Sequence, residues 1–146
     1  MELIFKEIDN DNWRECIKLS VEENQKGFVA PNSYSILEAK FETGCYPLAI
    51  YDRDTMVGFL MYNFDSEDNS WWMCRLMMDK SHQGKGYGRA TILKLLENIK
   101  KEQGNIKVYT SFEPENSVAE KLYESVGFKK TGQIMWGEVV MEIQIA

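Results

Sequence analysis

The chain is poor in the residues that build metal sites and disulfide frameworks: it has one histidine, three cysteines and three prolines. With His82 as the only imidazole, no zinc ligand set is expected, and no metal is assigned. Cys16, Cys45 and Cys74 are odd in number, far apart and free of any CxxC pair. They read as reduced, mostly buried thiols of a cytoplasmic protein. No apolar run approaches the roughly 18–20 residues of a membrane span. The segment Met1–Glu7 lacks the basic start and apolar stretch of a secretory signal. Cytoplasmic localisation without a membrane partner is therefore expected. Positive charge is also scarce. Lys and Arg number 17 against 23 Asp and Glu, a net charge of −6, which speaks against a nucleic-acid partner.

What the chain does have is enough length for one domain, spanning 1–146, with 44% hydrophobic residues to fill a core. Its charge is unevenly spread. Residues 1–74 hold 14 acidic and 6 basic side chains, and residues 75–146 hold 9 acidic and 11 basic. An anionic cofactor on the second half and a cationic substrate against the first would suit that split.

Hydrophobic periodicity divides the chain into elements. Glu2–Ile8 alternates as a strand. Asn10 or Asp11 caps a helix with Trp13, Ile17 and Val21 on one face. A loop from Gln25 to Asn32 follows, then a helix capped by Ser33 with Ile36, Leu37, Ala39 and Phe41 inside, ending near Gly44. Tyr46–Tyr51, Met56–Phe64 and Trp71–Met78 read as an antiparallel meander. A helix from about Tyr87 to Gln103 carries Ile92, Leu95, Leu96 and Ile99 at helical spacing and stops at Gly104. Ile106–Phe112 is a short strand. Asn116–Val126 is a helix with Val118, Ala119, Leu122 and Val126 inward, and Phe128–Ile134 and Glu138–Ile145 close the chain as strands. The succession predicts an α/β (α+β) domain with a mixed sheet.

Between the meander and the long helix stands Gln83-Gly84-Lys85-Gly86-Tyr87-Gly88-Arg89. Glycine lets backbone approach a ligand closely, and the helix N-terminus presents unpaired N–H groups and a partial positive charge. Lys85 and Arg89 add full charges, so a phosphate group is the expected guest. The spacing matches neither the P-loop nor the dinucleotide fingerprint. About thirty residues on comes Asn116-Ser117-Val118-Ala119-Glu120-Lys121-Leu122-Tyr123, closing at Gly127-Phe128.

The pair of patterns Q-x-x-G-x-G and N-x-x-A-x-x-L-Y-x-x-x-G-F resembles the GNAT superfamily of acetyl-CoA-dependent N-acetyltransferases, along essentially the whole chain. Glu23–Ala30, Trp72–Asp79 and Thr131–Met141 are similar to the bacterial spermine/spermidine (diamine) acetyltransferases. The resemblance implies a mostly antiparallel sheet of six to seven strands with about four helices. It also implies acetyl-CoA as co-substrate, a small-molecule amine, foremost a polyamine, as acceptor, and a homodimer.

By the same resemblance, the strand before the glycine loop splays from its neighbour, and the acetyl-CoA arm adds to it as a strand would. The Leu76 N–H would face the thioester carbonyl, and Met77 and Met78 would line the pantetheine arm. Gln83, Gly84, Lys85, Gly86, Tyr87, Gly88 and Arg89 would hold the pyrophosphate. Asn116 would cap its helix and touch the cofactor arm, and Tyr123 would be the general acid for the departing thiolate. Some relatives carry a glutamate where this chain has Cys74, so the base stays open among Glu23, Glu113, Glu138 and a water chain. Glu22 and Glu23 are candidates for a distal ammonium, Glu113 for the acceptor side, and Trp71 and Trp72 for aromatic walls of an amine channel. Two alternatives stay open: another amine acceptor (an amino acid, an aminoglycoside or a protein N-terminus), and a non-catalytic acyl-CoA-binding domain.

Overall fold

A computed structural model describes all residues, Met1–Ala146. Seven strands form one sheet: β1 (Leu3–Glu7), β2 (Cys45–Asp52), β3 (Thr55–Asp65), β4 (Ser70–Met78), β5 (Lys107–Phe112), β6 (Lys129–Met135) and β7 (Glu138–Gln144). Four helices cover it: α1 (Trp13–Lys18), α2 (Asn32–Phe41), α3 (Tyr87–Gln103) and α4 (Ser117–Val126). The strand order is β1-β2-β3-β4-β5-β7-β6, and every neighbouring pair is antiparallel except β4 with β5. The expected mixed, mostly antiparallel sheet with four helices is what the chain forms.

Alternation along the central strands sends side chains to two faces. Leu60, Val108 and Met141 join Ile92, Leu95 and Ile99 of α3 and Tyr123 of α4 in one core. Phe59, Met61 and Met77 join Cys16 of α1 in the other, with Ile36 and Ala39 of α2 packed against them. At Gly58 of β3 a Cβ would stand 2.4 Å from the Met77 carbonyl oxygen of β4.

The first two helices differ from expectation. α1 has six residues and starts after Asn12, not Asn10 or Asp11. Its inward residue is Cys16, while Trp13 and Ile17 are 37% and 38% exposed. A helix of fewer than two turns offers no repeat to fix its phase, and the Asn12 side chain is held in place by donating to the Glu7 carbonyl at 2.9 Å. α2 starts one residue earlier than Ser33, with Pro31 before it. It buries Asn32 and Ser35 and leaves Leu37 and Phe41 largely exposed. Asn32 Nδ2 donates to the Cys16 carbonyl at 2.9 Å, so a polar tertiary contact sets the rotation of α2 against its apolar stripe. On α4, Ala119, Leu122 and Val126 pack inward, but Val118 is exposed and Tyr123 is the buried residue.

Candidate active site

β4 and β5 pair over only three residues: Trp71 with Val108, Trp72 with Tyr109, and Met73 with Thr110. The Thr110 hydroxyl donates to the Met73 carbonyl at 2.9 Å and closes the seam there. Beyond it the strands part. The register between β3 and β4 shifts at the same level: Met61 faces Arg75 and Tyr62 faces Met73, which leaves Cys74 as the extra residue of a bulge. A bulge bends its strand, and this one bends β4 where the seam opens.

Hydrogen-bonding direction alternates along an antiparallel pair. The Asp79 N–H donates to the Val57 carbonyl at 2.9 Å, which fixes that pair as a bonded one. Counting back, Leu76 opposite Leu60 and Met78 opposite Gly58 are non-bonded pairs. Their N–H and C=O groups therefore aim away from β3, into the gap. The Met78 carbonyl accepts from Gln83 Nε2 at 3.1 Å. The Leu76 N–H, the Leu76 carbonyl and the Met78 N–H remain as a strand edge for an amide-bearing chain to join.

The gap opens into a cavity of about 1210 Å³. At one end stands the glycine loop. Gly84 and Gly86 have φ of +76° and +86°, conformations that L side chains rarely adopt. Gly86 is the residue before α3 and no side chain caps the helix, so the N–H groups of Tyr87, Gly88 and Arg89 lie free at the N-terminus. Lys85 and Arg89 are exposed beside them. This cradle of amides and two cations fits a pyrophosphate, and the β4 edge fits a pantetheine arm.

Two loop side chains are otherwise engaged. The Tyr87 hydroxyl donates to Asp52 Oδ2 at 2.6 Å, so Tyr87 offers the gap only its backbone. Gln83 bonds to Met78 and to Gln25, so its amide serves as a brace.

Across the gap, Asn116 caps α4, its Oδ1 accepting from the Ala119 N–H at 3.2 Å. Tyr123, one turn on from that bond, is 7% exposed between Phe112 and Phe128 and lines the cavity. Burial pushes its phenol up to about 12, against a hydrogen bond with Thr110 and with help from the Glu138 charge. Tyr123 therefore stays protonated at neutral pH. Glu138 accepts from the Ser111 hydroxyl at 2.8 Å, and Glu113 follows the end of β5; both line the cavity.

The acidic residues expected before the Gln25 loop are not brought to the cavity. Glu22 caps the short 3₁₀ turn Glu23–Gln25, and Glu23 pairs with Lys26 at 2.8 Å, with both side chains largely exposed. That turn points their carboxylates outward while its Asn24 and Gln25 face inward. Carboxylates that sequence reasoning missed take their place: Glu38 and Glu42 near the end of α2, and Asp65 and Glu67 at the β3–β4 turn. Trp72 lines the cavity but Trp71 does not; Trp71 stacks with Tyr46 and packs tilted against Tyr62 and Phe64 elsewhere. Cys74 lines the cavity as a neutral thiol, pushed up to about 12 by burial, with its Sγ donating to the Met61 carbonyl. Trp136, at the turn between β6 and β7, also lines the cavity. A Trp-Gly pair between two strands is the sequence signal that could have drawn attention to it.

A strand edge opened by a bulge, an amide cradle at a helix N-terminus and a buried phenol across the gap define a fold for acyl transfer from a coenzyme A thioester. Comparison with known proteins agrees. The sequence pattern of the Acetyltransferase (GNAT) family matches residues 6–128. The chain belongs to that family, whose members transfer an acetyl group from acetyl-CoA to an amine. The probable spermine N(1)-acetyltransferase of Bacillus subtilis subsp. natto (strain BEST195) is 28% identical and the spermine/spermidine N(1)-acetyltransferase of Bacillus subtilis (strain 168) is 27% identical, each over 97% of both chains. Among solved structures, the spermidine N-acetyltransferase from Vibrio cholerae in complex with CoA and spermine superposes with a TM-score of 0.78. That match has 19% identity and covers 99% of this chain and 96% of that one. The ribosomal-protein-S18-alanine N-acetyltransferase from Escherichia coli gives 0.72 at 16% identity, covering 99% and 94%. The fold is therefore shared by enzymes with different acceptors.

Proposed function

We propose that this acetyltransferase acts on a primary amine of a polyamine, of the spermidine or spermine class. The observation that carries the proposal is the charge lining the cavity: seven carboxylates against two cations, Lys26 and Arg75. Arg75 is itself paired with Glu38 at 3.1 Å. A cavity of that size with surplus carboxylates suits a long molecule with several ammonium groups better than an amino acid carrying its own carboxylate. The relatives named for spermine and spermidine support the same acceptor.

Acetyl-CoA supplies an activated acetyl thioester. The Leu76 N–H is aimed to polarise the thioester carbonyl, a backbone dipole that needs no rearrangement during reaction. The Met78 N–H and the Leu76 carbonyl align the arm along β4. The free amides of Gly84–Arg89, with Lys85 and Arg89, hold the pyrophosphate. On the acceptor side an amine of pKa about 10.4 arrives protonated. Its proton leaves to Glu138 or Glu113, directly or through water, and the neutral nitrogen then attacks. Tyr123 retains its proton at neutral pH and gives it to the departing sulfur, and the second proton lost by the acylated nitrogen as it becomes an amide restores the phenol. The same proposal places the enzyme in the cytoplasm as a homodimer, which light scattering would register as twice the chain mass.

The test is competition. The enzyme is given acetyl-CoA and an equimolar mixture of spermine, spermidine, putrescine, an aminoglycoside, alanine and an alanine-terminated peptide, and the products are read by mass spectrometry. Acetylated spermine and spermidine are expected to dominate. Dominance of the peptide or the amino acid would overturn the polyamine assignment and leave the acetyl transfer standing. Binding of acetyl-CoA with no product would favour a non-catalytic domain.

A further inference from the structure

Three non-glycine residues have positive φ: Arg53, Asn69 and Trp136. Each lies in a turn between strands. Asparagine adopts this conformation readily, whereas for a bulky aromatic it is an outlier. Trp136 and Gly137, with φ of +54° and +77°, form the two-residue turn between Met135 and Glu138. Such turns select Asn, Asp or Gly at the first position because both residues must be left-handed.

Burial does not explain the tryptophan. Trp136 is 74% exposed, so its ring gains little by leaving water. Its ring meets Trp72 edge-on, centroids 5.8 Å apart and planes at 65°. Trp72 is already fixed without it, stacked on Tyr109 at 5.3 Å and donating from Nε1 to Ser70 Oγ at 2.8 Å. Backbone strain at an exposed residue on a cavity rim points to function.

The cavity Trp136 borders is the one lined by Tyr123, Glu113 and Glu138, and Glu138 is two residues away on the same hairpin. A polyamine attacks through one neutral nitrogen, while its remaining nitrogens stay charged, with pKa near 10.4. We infer that Trp136 is a specificity-determining residue: its indole face receives an ammonium of the acceptor beyond the attacking nitrogen. The contact is a cation–π interaction, in which a ring with an exposed face is the useful one. The inference rests on the polyamine reading of the cavity.

The test compares Trp136→Asn, Trp136→Leu and Trp136→Phe with the unaltered enzyme, measuring KM and kcat for spermidine and spermine, KM for acetyl-CoA, and Tm. Asn suits the turn and removes the ring; Leu keeps an apolar side chain without a π face; Phe restores one. The KM for both polyamines is expected to rise about tenfold in the Asn and Leu variants and to stay within about threefold in the Phe variant. kcat and the acetyl-CoA KM should hold within twofold throughout, and the Tm of Trp136→Asn should be equal or higher. Unchanged polyamine KM in Trp136→Asn overturns the inference, as does a Leu variant that behaves like Phe. If the unaltered enzyme turns over no polyamine, the reading of the acceptor falls and this inference with it.

Discussion

Gln25 and Gln83 exchange a pair of side-chain hydrogen bonds across 58 residues of sequence. Gln25 Nε2 donates to Gln83 Oε1 at 3.2 Å, and Gln83 Nε2 donates to Gln25 Oε1 at 2.9 Å. Gln83 Nε2 also donates to the Met78 carbonyl, and Gln25 Oε1 accepts from the Glu22 N–H at 2.9 Å. The Gln25 loop is thus tied to the β4 edge, the edge proposed to carry the acetyl-CoA arm. Gln25→Ala and Gln83→Ala should each raise the KM of both substrates about threefold to tenfold, the scale of one or two net hydrogen bonds. The double variant should be little worse than either single one. Effects that multiply in the double variant would show that the two amides act separately.

Tyr123→Phe removes the proton and keeps the ring between Phe112 and Phe128. kcat is expected to fall by roughly 10²–10⁴-fold, the usual reach of a general acid. The Kd of acetyl-CoA should stay within twofold, because the proposed acid acts on the leaving group and not on the pyrophosphate. Turnover equal to that of the unaltered enzyme would remove the acid role from Tyr123.

The same residue has a pH signature. Its phenol is pushed up from the ordinary 10.0 to about 12 by burial. The folded state therefore holds this proton more tightly than the unfolded chain. The stability it contributes is fully present below pH 10 and is lost as pH rises to about 12. Urea unfolding between pH 10 and 12 should weaken less steeply in Tyr123→Phe. The pH profile of kcat/KM should rise with deprotonation of the amine and show no falling limb from Tyr123 below about pH 10. A limb near pH 8 that disappears in Tyr123→Phe would contradict the assigned environment.

Cys74 is the extra residue of the β4 bulge and lines the cavity. Its thiol is pushed up to about 12, chiefly by burial, so it is no base at neutral pH. Cys74→Ala should keep kcat/KM within about threefold, and iodoacetamide at pH 7.5 should inactivate the enzyme slowly, since the thiolate is the reactive form. A hundredfold loss in Cys74→Ala would make the thiol part of the chemistry.

Two glycine substitutions should separate stability from binding. Gly58→Ala puts a Cβ 2.4 Å from the Met77 carbonyl oxygen and 2.7 Å from Met78 Sδ. It should cost about 3 kcal/mol of overpacking, a drop in Tm of roughly 8 °C. At Gly84 an added Cβ meets nothing within 4 Å. The cost there is backbone strain of about 1 kcal/mol, and the larger effect should be weaker acetyl-CoA binding. Calorimetry and a binding titration on both variants check the contrast.

Most of the sheet and the glycine-loop geometry of the candidate site were legible in the sequence. α3 repeats its apolar spacing over 17 residues, and the glycines before it announce an open helix N-terminus. Asn116 and Tyr123 sit on a helix capped as expected. The acceptor half was not legible. Glu22 and Glu23 lie on the exposed side of a three-residue 3₁₀ turn, and so short an element leaves no periodic trace. Glu38 and Glu42 reach the cavity only because Asn32 and Ser35, not Leu37 and Phe41, decide which way α2 faces. The bulge at Cys74 is likewise a mismatch between two strands and has no signature in either one.

The most direct test of the polyamine assignment is the kcat/KM of the purified enzyme for each amine, followed by release of free CoA from acetyl-CoA. Spermidine or spermine should exceed alanine, the aminoglycoside and the alanine-terminated peptide by at least about a hundredfold, a difference near 2.7 kcal/mol in transition-state binding. A peptide or amino acid at or above the polyamines would contradict the account of the acidic cavity.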